Sequence, residues 1–293
     1  MGAINMSKAV SIKNMTIAFR TFTLQDINME IEPGTIMGLV GENGAGKTTI
    51  LKAIMNFYGL EQGTISVFGH DHIKDEIQVK NYIGYIADED YLKYNCTLEK
   101  YAKLFAPLYQ TWNWKIFEEQ VKKWNLPLNQ NFSEFSKGMK TKAMFALAMA
   151  HEPKLLVLDE PTAGLDPVAR MEFLQMLREF VEDGEHAVLF STHIATDLDK
   201  VADYITIISD GKIAGSGATD WWDDEYVLAV CDQKQKALLK PVAIGMMEMG
   251  DCLEALVRRS DAELLKKKTD DIIWKRSSLE QMIVHQIFNS KGA

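Results

Sequence analysis

Cysteine is scarce in this 293-residue sequence: Cys96, Cys231 and Cys252 stand far apart, with no C-x-x-C pair. That excludes a disulfide framework and a spaced-cysteine zinc site as organising devices, and it fits a reducing compartment. Long apolar runs are missing as well. The longest, Ala143 to Ala150, falls far short of the ~20 residues that span a bilayer, so service at a membrane would need a separate membrane chain. The opening segment, Met1 to Val10, has no apolar h-region, and position six is Met6 where a myristoylation signal has Ser or Thr. A chain neither exported nor lipidated is expected. Nor is there a basic excess: 32 Lys and Arg stand against 41 Asp and Glu, a net charge of -9. Duplex nucleic-acid binders carry clustered positive charge to displace counterions, so no nucleic-acid partner is expected. Internal repeats and low-complexity tracts are absent, and the run Lys266-Lys-Lys268 reads as a solvated face.

What is present is an ordinary folding composition, 47% hydrophobic and 25% charged, with material for one large domain and a small appendix. Apolar and polar residues alternate around Val10, Ile12 and Met15 and again at Ile27, Met29 and Ile31, the mark of half-buried antiparallel strands. The run Thr35 to Val40 predicts a strand buried on both faces. It leads into a glycine-rich turn and a helix from Lys47 to about Tyr58. Helical spacing takes over from Tyr91 to Pro153, as at Ile116, Phe117, Val121 and Trp124, broken by Asn125-Leu-Pro127. Buried strands return at Leu155 to Leu158, Ala187 to Ser191 and Tyr204 to Ile208. A helix between the first two opens at Asp166-Pro167, aspartate being a preferred N-cap and proline a preferred first helical residue. Strands alternating with helices predict an α/β fold with a mostly parallel sheet. Beyond Gly217 an acidic and aromatic patch, Asp220-Trp-Trp-Asp-Asp-Glu225, precedes mixed segments that predict a small C-terminal α+β accessory domain, residues 218–293.

Two motifs carry chemistry. Gly41-Glu-Asn43-Gly44-Ala45-Gly46-Lys47-Thr48 matches the G-x-x-x-x-G-K-[ST] phosphate loop and sits between a buried strand and a helix, as its mechanism requires. Its glycines let backbone amides converge on phosphate, the helix N-terminus (Thr48, Thr49) adds its positive dipole, Lys47 reaches the β- and γ-phosphates, and the Thr48 hydroxyl is placed to ligate Mg2+. The strand Leu155-Leu-Val-Leu-Asp159-Glu160 delivers two carboxylates at its C-terminal end, where open α/β sheets bind ligands. Asp159 is expected to hold Mg2+, and Glu160 to polarise the water that attacks the γ-phosphate of ATP.

Phe135-Ser136-Lys137-Gly138-Met139, just before that strand, resembles the L-S-G-G-Q signature of ATP-binding cassette (ABC) ATPases, and Ser136 is also placed to cap the helix that follows. The resemblance covers residues 8 to 217 and implies a P-loop NTPase of the ABC type: a RecA-like, mostly parallel core with an antiparallel β subdomain and an inserted helical subdomain at about 89–154, all within residues 1–217. It implies that two cassettes close over two ATP molecules, Ser136 and Gly138 of one facing the nucleotide on the phosphate loop of the other. Ala163-Gly-Leu-Asp166 resembles the D-loop, and His193 matches the switch histidine that contacts the γ-phosphate. Most cassettes place a glutamine where this sequence has Asp88, followed by Glu89, and a carboxylate there can also ligate Mg2+. Lys137 stands where the signature has glycine, either adding charge near phosphate or lying in solvent. Adenine usually stacks on an aromatic near the first strands, for which Phe19 is favoured over Phe22.

The strings Phe135 to Lys140 and Gly164 to Arg170 look like those of bacterial ABC-2-type systems resembling the YtrB, EcsA and antimicrobial-peptide exporter ATPases. The resemblance implies a peripheral ATPase subunit on the inner face of the cell membrane, bound there by a separately encoded ABC-2-type permease, with a second ATPase subunit as partner and a peptide or other amphipathic cargo. A soluble ABC ATPase acting on ribosome or DNA is the alternative, weakened by the single uninterrupted cassette and the acidic balance. A P-loop kinase or GTPase has no reason to carry the signature or the histidine.

Overall fold

Alternation in the first thirty residues becomes a pair of antiparallel strands in the computed structural model, which describes residues 7–87 and 96–292. β1 (Val10–Ala18) pairs with β2 (Thr23–Ile31), Val10 opposite Ile31 and Ala18 opposite Thr23. The buried set Val10, Ile12, Met15 and Ile17 skips one beat. A bulge between Ile12 and Met15 resets the phase, with Asn14 at φ 50°. Two compact units make up the chain: one comprises Met1–Met37 and Lys47–Thr192, the other Gly38–Gly46 and His193–Ala293.

In the first unit, β3 (Ile36–Gly41) begins beside a later strand, the Thr35 carbonyl accepting from Val188 N at 3.0 Å. α1 (Lys47–Ile54) stops a turn before the expected Tyr58. Asn56 turns left-handed at φ 58°, its N–H donates to the Ala53 carbonyl and that of Phe57 to the Lys52 carbonyl, the paired bonds of a Schellman stop. β4 (Gln62–Val67) and β5 (His70–Asp71) extend the antiparallel sheet in the order β2-β1-β4-β5. After α2 (Glu76–Tyr82) comes β6 (Ile83–Ile86). α3 (Leu98–Phe105), α4 (Trp114–Lys123) and α5 (Lys137–Met149) then share an apolar cluster of Leu98, Tyr101, Phe117, Val121, Phe132 and Leu147. α4 ends where expected: Asn125 takes φ 50° ahead of Leu126-Pro127. β7 (Leu155–Asp159) lies parallel between β6 and β8 (Ala187–Thr192), with α6 (Pro167–Val181) connecting the last two strands. Every residue of β7 and β8 is buried, as a parallel sheet covered on both faces requires.

In the second unit the end of β3 lies against β9 (Tyr204–Ser209), so close that a Cβ on Gly41 would stand 2.2 Å from the Ile208 carbonyl oxygen. α7 (Ala195–Val201) precedes β9, and β10 (Lys212–Ala218) pairs antiparallel with it. The acidic, aromatic patch forms α8 (Thr219–Glu225), whose indoles pack against β10. A Cβ at Gly215 would meet Trp222 at 2.6 Å, and one at Gly217 would meet Trp221 at 2.6 Å. Then follow β11 (Tyr226–Asp232), α9 (Lys236–Leu239), β12 (Ala243–Met249), β13 (Cys252–Arg258), α10 (Arg259–Lys266) and β14 (Ile273–Lys275). Their antiparallel sheet runs β12-β13-β11-β14, which is the split βαβ arrangement of ferredoxin-like folds. α11 (Leu279–Gly292) opens with a capping box. Gln281 N donates to Ser278 Oγ, and Ser278 N donates to Gln281 Oε1. Its inner face packs on β12 and on the α7–β9 segment.

Candidate active site

The phosphate loop takes the backbone course that its glycines permit. Gly44 has φ 83° and Gly46 φ 115°, both left-handed-side values that other residues rarely adopt. Ala45 N donates to the Glu42 carbonyl at 3.2 Å, and the Ala45 carbonyl accepts from Gly211 N at 3.2 Å, so the loop is held in shape from both sides. Gly41 and Ala45 are buried, Asn43 and Gly44 exposed at the crest. The loop ends at Lys47, where α1 begins.

Lys47 is only 6% exposed, so its amino group needs a polar partner within the protein. Glu160 supplies the countercharge, Lys47 Nζ standing 3.5 Å from Glu160 Oε1. Glu160 sits at φ 48°, a costly backbone for a residue with a Cβ and one that clusters at functional sites. Its N–H donates to Ser191 Oγ at 3.0 Å, and its carbonyl accepts from Ala163 N in the turn that follows. The same Ser191 hydroxyl donates to Asp159 Oδ1 at 2.6 Å, the length of a charge-assisted bond. Asp159 is 3% exposed at the end of β7, directly opposite Ser191 on β8. Thr48 and Asp159 line one groove wall, so a hydroxyl and a carboxylate, both hard oxygen donors that suit Mg2+, share it. Among the described residues no cluster of three or more His, Cys, Asp or Glu stands ready for a metal. A cation here would be held jointly by those two side chains and by nucleotide phosphates.

Ser136 caps α5, its Oγ accepting from Met139 N at 3.2 Å, which leaves the hydroxyl proton to donate elsewhere. Gly138 is not demanded by packing within the chain, since an added Cβ would meet Ala169 and Leu165 at ordinary distances of 3.7 and 3.8 Å. Lys137 lies over Gly164 of the following loop, its Nζ within 3.1 Å of where a Cβ would stand. Asp166 caps α6, and the N–H groups of Ala169 and Val168 on its carboxylate hold its pKa below the ordinary value. Lys137, Lys140, Asp159 and Glu160 together line a cleft of about 280 Å³. The first unit thus brings together Lys47, Thr48, Asp159 and Glu160, with Thr49 one residue further along α1. His193 is exposed in the second unit, between β8 and α7. Phe19 is 40% exposed and meets the Tyr58 ring edge-on at 5.2 Å, with Phe22 stacked at 6.5 Å. Asp88 and Glu89 lie outside the described residues.

Sequence reasoning passed over Ser191, whose importance emerges only from the pairing of β7 with β8. A groove of about 680 Å³ runs out from Thr48 and Asp159 between Met55, Phe57, Tyr58, Tyr85, Phe105, Tyr109 and Met144.

With that geometry in view, likeness to known proteins is specific. A model of the family described as ABC transporter matches residues 24–163, a span that holds the phosphate loop, Ser136, Asp159 and Glu160. The ABC transporter ATP-binding protein NatA of Bacillus subtilis (strain 168) is 32% identical over 203 residues, 67% of this chain and 82% of that protein. The chain belongs to the ABC transporter ATP-binding proteins. As an ABC ATP-binding protein it is an ATPase of the kind coupled to transport. The bacitracin transport ATP-binding protein BcrA of Bacillus licheniformis is 28% identical over 193 residues, 65% of this chain and 63% of that one. A solved structure described as an ATP-binding subunit of an ABC transporter superposes with a TM-score of 0.66 at 28% identity, over 72% of this chain and 90% of that one. The α/β fold expected from the strand and helix pattern is therefore that of the ABC cassette. Among the described residues no helix is long and apolar enough to cross a membrane.

Proposed function

We propose that this ABC ATP-binding protein hydrolyses MgATP between two cassettes and so drives a separately encoded ABC-2-type permease. The observation that carries the reading is the Lys47–Glu160 pair beside Asp159 and Thr48. Lys47 is buried where phosphate oxygens would complete its charge pairing, and an arriving γ-phosphate competes with Glu160 for the ammonium. Glu160, released from that pair, is then the carboxylate that orients water and takes its proton. Thr48 and Asp159 would hold Mg2+, which when bound neutralises phosphate charge; Asp88 is a further candidate ligand. Backbone amides of Gly41, Asn43, Gly44, Ala45 and Gly46, with Thr49, cradle the phosphates, and Phe19 stacks on adenine.

The second cassette contributes Ser136, Gly138 and Asp166, the hydroxyl proton of Ser136 suiting it to a nucleotide held by another subunit. His193 completes the γ-phosphate contacts. The permease docks a short helix in the aromatic groove, where the half-exposed Phe57 (53%) presents apolar surface. Bound to that partner, the subunit works at the inner face of the cell membrane. Export of a peptide or other amphipathic cargo is supported by the likeness to the bacitracin transport protein. We assign residues 1–217 to the cassette, with its helical subdomain at about 89–154, and residues 218–293 to an accessory domain.

The test is purification from membranes with any bound partner. A permease whose addition changes the ATPase rate is expected, and Lys47→Ala should abolish nucleotide binding in a fluorescence titration. Retained affinity in that variant, or stimulation by ribosomes with no membrane partner, would overturn the proposal.

A further inference from the structure

We propose that Ser191 is a positioning residue that sets both carboxylates of the hydrolytic site through one hydroxyl, an inference that rests on Asp159 and Glu160 acting on MgATP. Ser191 is fully buried at the penultimate position of β8. Its hydroxyl can donate once and accept twice. The one proton goes to Asp159 Oδ1 at 2.6 Å, and a lone pair receives the Glu160 N–H at 3.0 Å. These two bonds do different things.

The first turns the Asp159 carboxylate. A buried carboxylate with one oxygen committed to a hydroxyl has its plane set, and its other oxygen is left for a cation. The second holds a strained backbone. Glu160 at φ 48° lies in a region that costs a non-glycine residue roughly 1 kcal/mol or more, so the surrounding structure must over-determine it. The Ser191 acceptor does so from β8, and the bond from Ala163 N to the Glu160 carbonyl does so from the far side of the turn. This backbone aims the side chain of Glu160 at Lys47. Register makes the pair of hydrogen bonds available: Asp159 and Ser191 are direct partners across the parallel pair, so the residue that follows β7 presents its N–H to the same hydroxyl. Of the small residues that fit a fully buried strand end, alanine and glycine lack the oxygen, and valine is closed to both bonds.

The consequence is a separation of functions. Nucleotide affinity without a cation rests on the phosphate loop and on Lys47, which Ser191 reaches only through the countercharge Glu160, whereas cation affinity and the hydrolytic step depend on Ser191 directly. In the full-length protein, Ser191→Ala should keep affinity for a fluorescent ATP analogue in EDTA within about threefold. The extra affinity conferred by Mg2+, and Mn2+ binding to the nucleotide complex followed by EPR, should fall about tenfold, and kcat should fall roughly 10- to 100-fold. Ser191→Thr, which restores the hydroxyl, should recover most of the cation response. Two results would overturn the inference: unchanged cation dependence and kcat in Ser191→Ala, or a uniform loss of EDTA-state binding, kcat and melting temperature, which marks a packing role alone. A wild-type protein without Mg2+-dependent ATPase activity would instead sink the assignment of the site itself.

Discussion

Lys47 Nζ stands 3.5 Å from Glu160 Oε1, a pair in which the cation of the phosphate loop is neutralised by the carboxylate that follows the buried strand β7. The ion pair is largely buried, so removing either side chain leaves the other charge poorly solvated; a neutral isostere at 160 also loses the countercharge but keeps the shape and an oxygen that can accept from Lys47.

Glu160→Gln is that change. It keeps the shape and removes the base, so MgATP binding persists, turnover drops by about 10²-fold or more, and ATP-bound dimers accumulate. Light scattering with and without ATP checks it. A variant that stays monomeric and hydrolyses at the wild-type rate removes Glu160 from the mechanism.

Phe19→Ala should weaken ATP binding about 5- to 100-fold, the range for loss of one base–aromatic stack. The ring is exposed on one side and braced by Tyr58 on another, so global stability should change little. Phe22→Ala should affect affinity less. Equal effects from both variants would place adenine elsewhere, and a fluorescence titration of the two decides.

Phe57→Glu introduces charge on an exposed rim of the aromatic groove. Basal ATPase activity and melting temperature should stay near wild type, while co-purification with a permease and its effect on turnover are lost. A charged rim that still binds and responds would move the docking site away from the groove.

His151 makes stability depend on acid. Burial holds its pKa down at about 4, against 6.5 for an exposed imidazole, while its Nε2–H donates to the Ile83 carbonyl and its ring stacks on Tyr109 at 4.0 Å. As pH falls through 6.5 the unfolded chain takes up a proton that the folded chain refuses until near 4. Stability is therefore lost across that window, by up to about 3 kcal/mol from this group. Burial pushes His72 and His285 in the same direction. Urea unfolding at pH 7.5 and pH 5 should show a smaller loss for His151→Phe than for wild type; an equal loss would mean that the ring is not kept neutral.

Much of the cassette was legible in the sequence because its signals are local. The loop Gly41 to Thr48, the double acid Asp159-Glu160 and the caps Ser136 and Asp166 are each spelled out within a few adjacent residues, where backbone geometry and hydrogen bonding act over one turn. α1 ends before the point its apolar spacing predicts because Asn56 takes the left-handed stop usually given to glycine. The bulge at Asn14 likewise hides in an alternation that only the pairing of β1 with β2 resolves.

What tertiary structure alone decided lies in contacts between distant residues. Ser191 reads as one more small residue before Thr192-His193 until parallel pairing sets it against Asp159, 32 positions away. At Gly215 and Gly217 the indoles of Trp222 and Trp221 occupy the space that a side chain would need. The split βαβ order of β11 to β14 has no local signature, because strand order depends on which edges pair and not on what any strand contains. By itself the sequence determined which chemical groups are available and in what local turns they sit. The fold decided which groups share a hydroxyl, a countercharge or a cleft, because those are properties of pairing register and burial that no single segment carries.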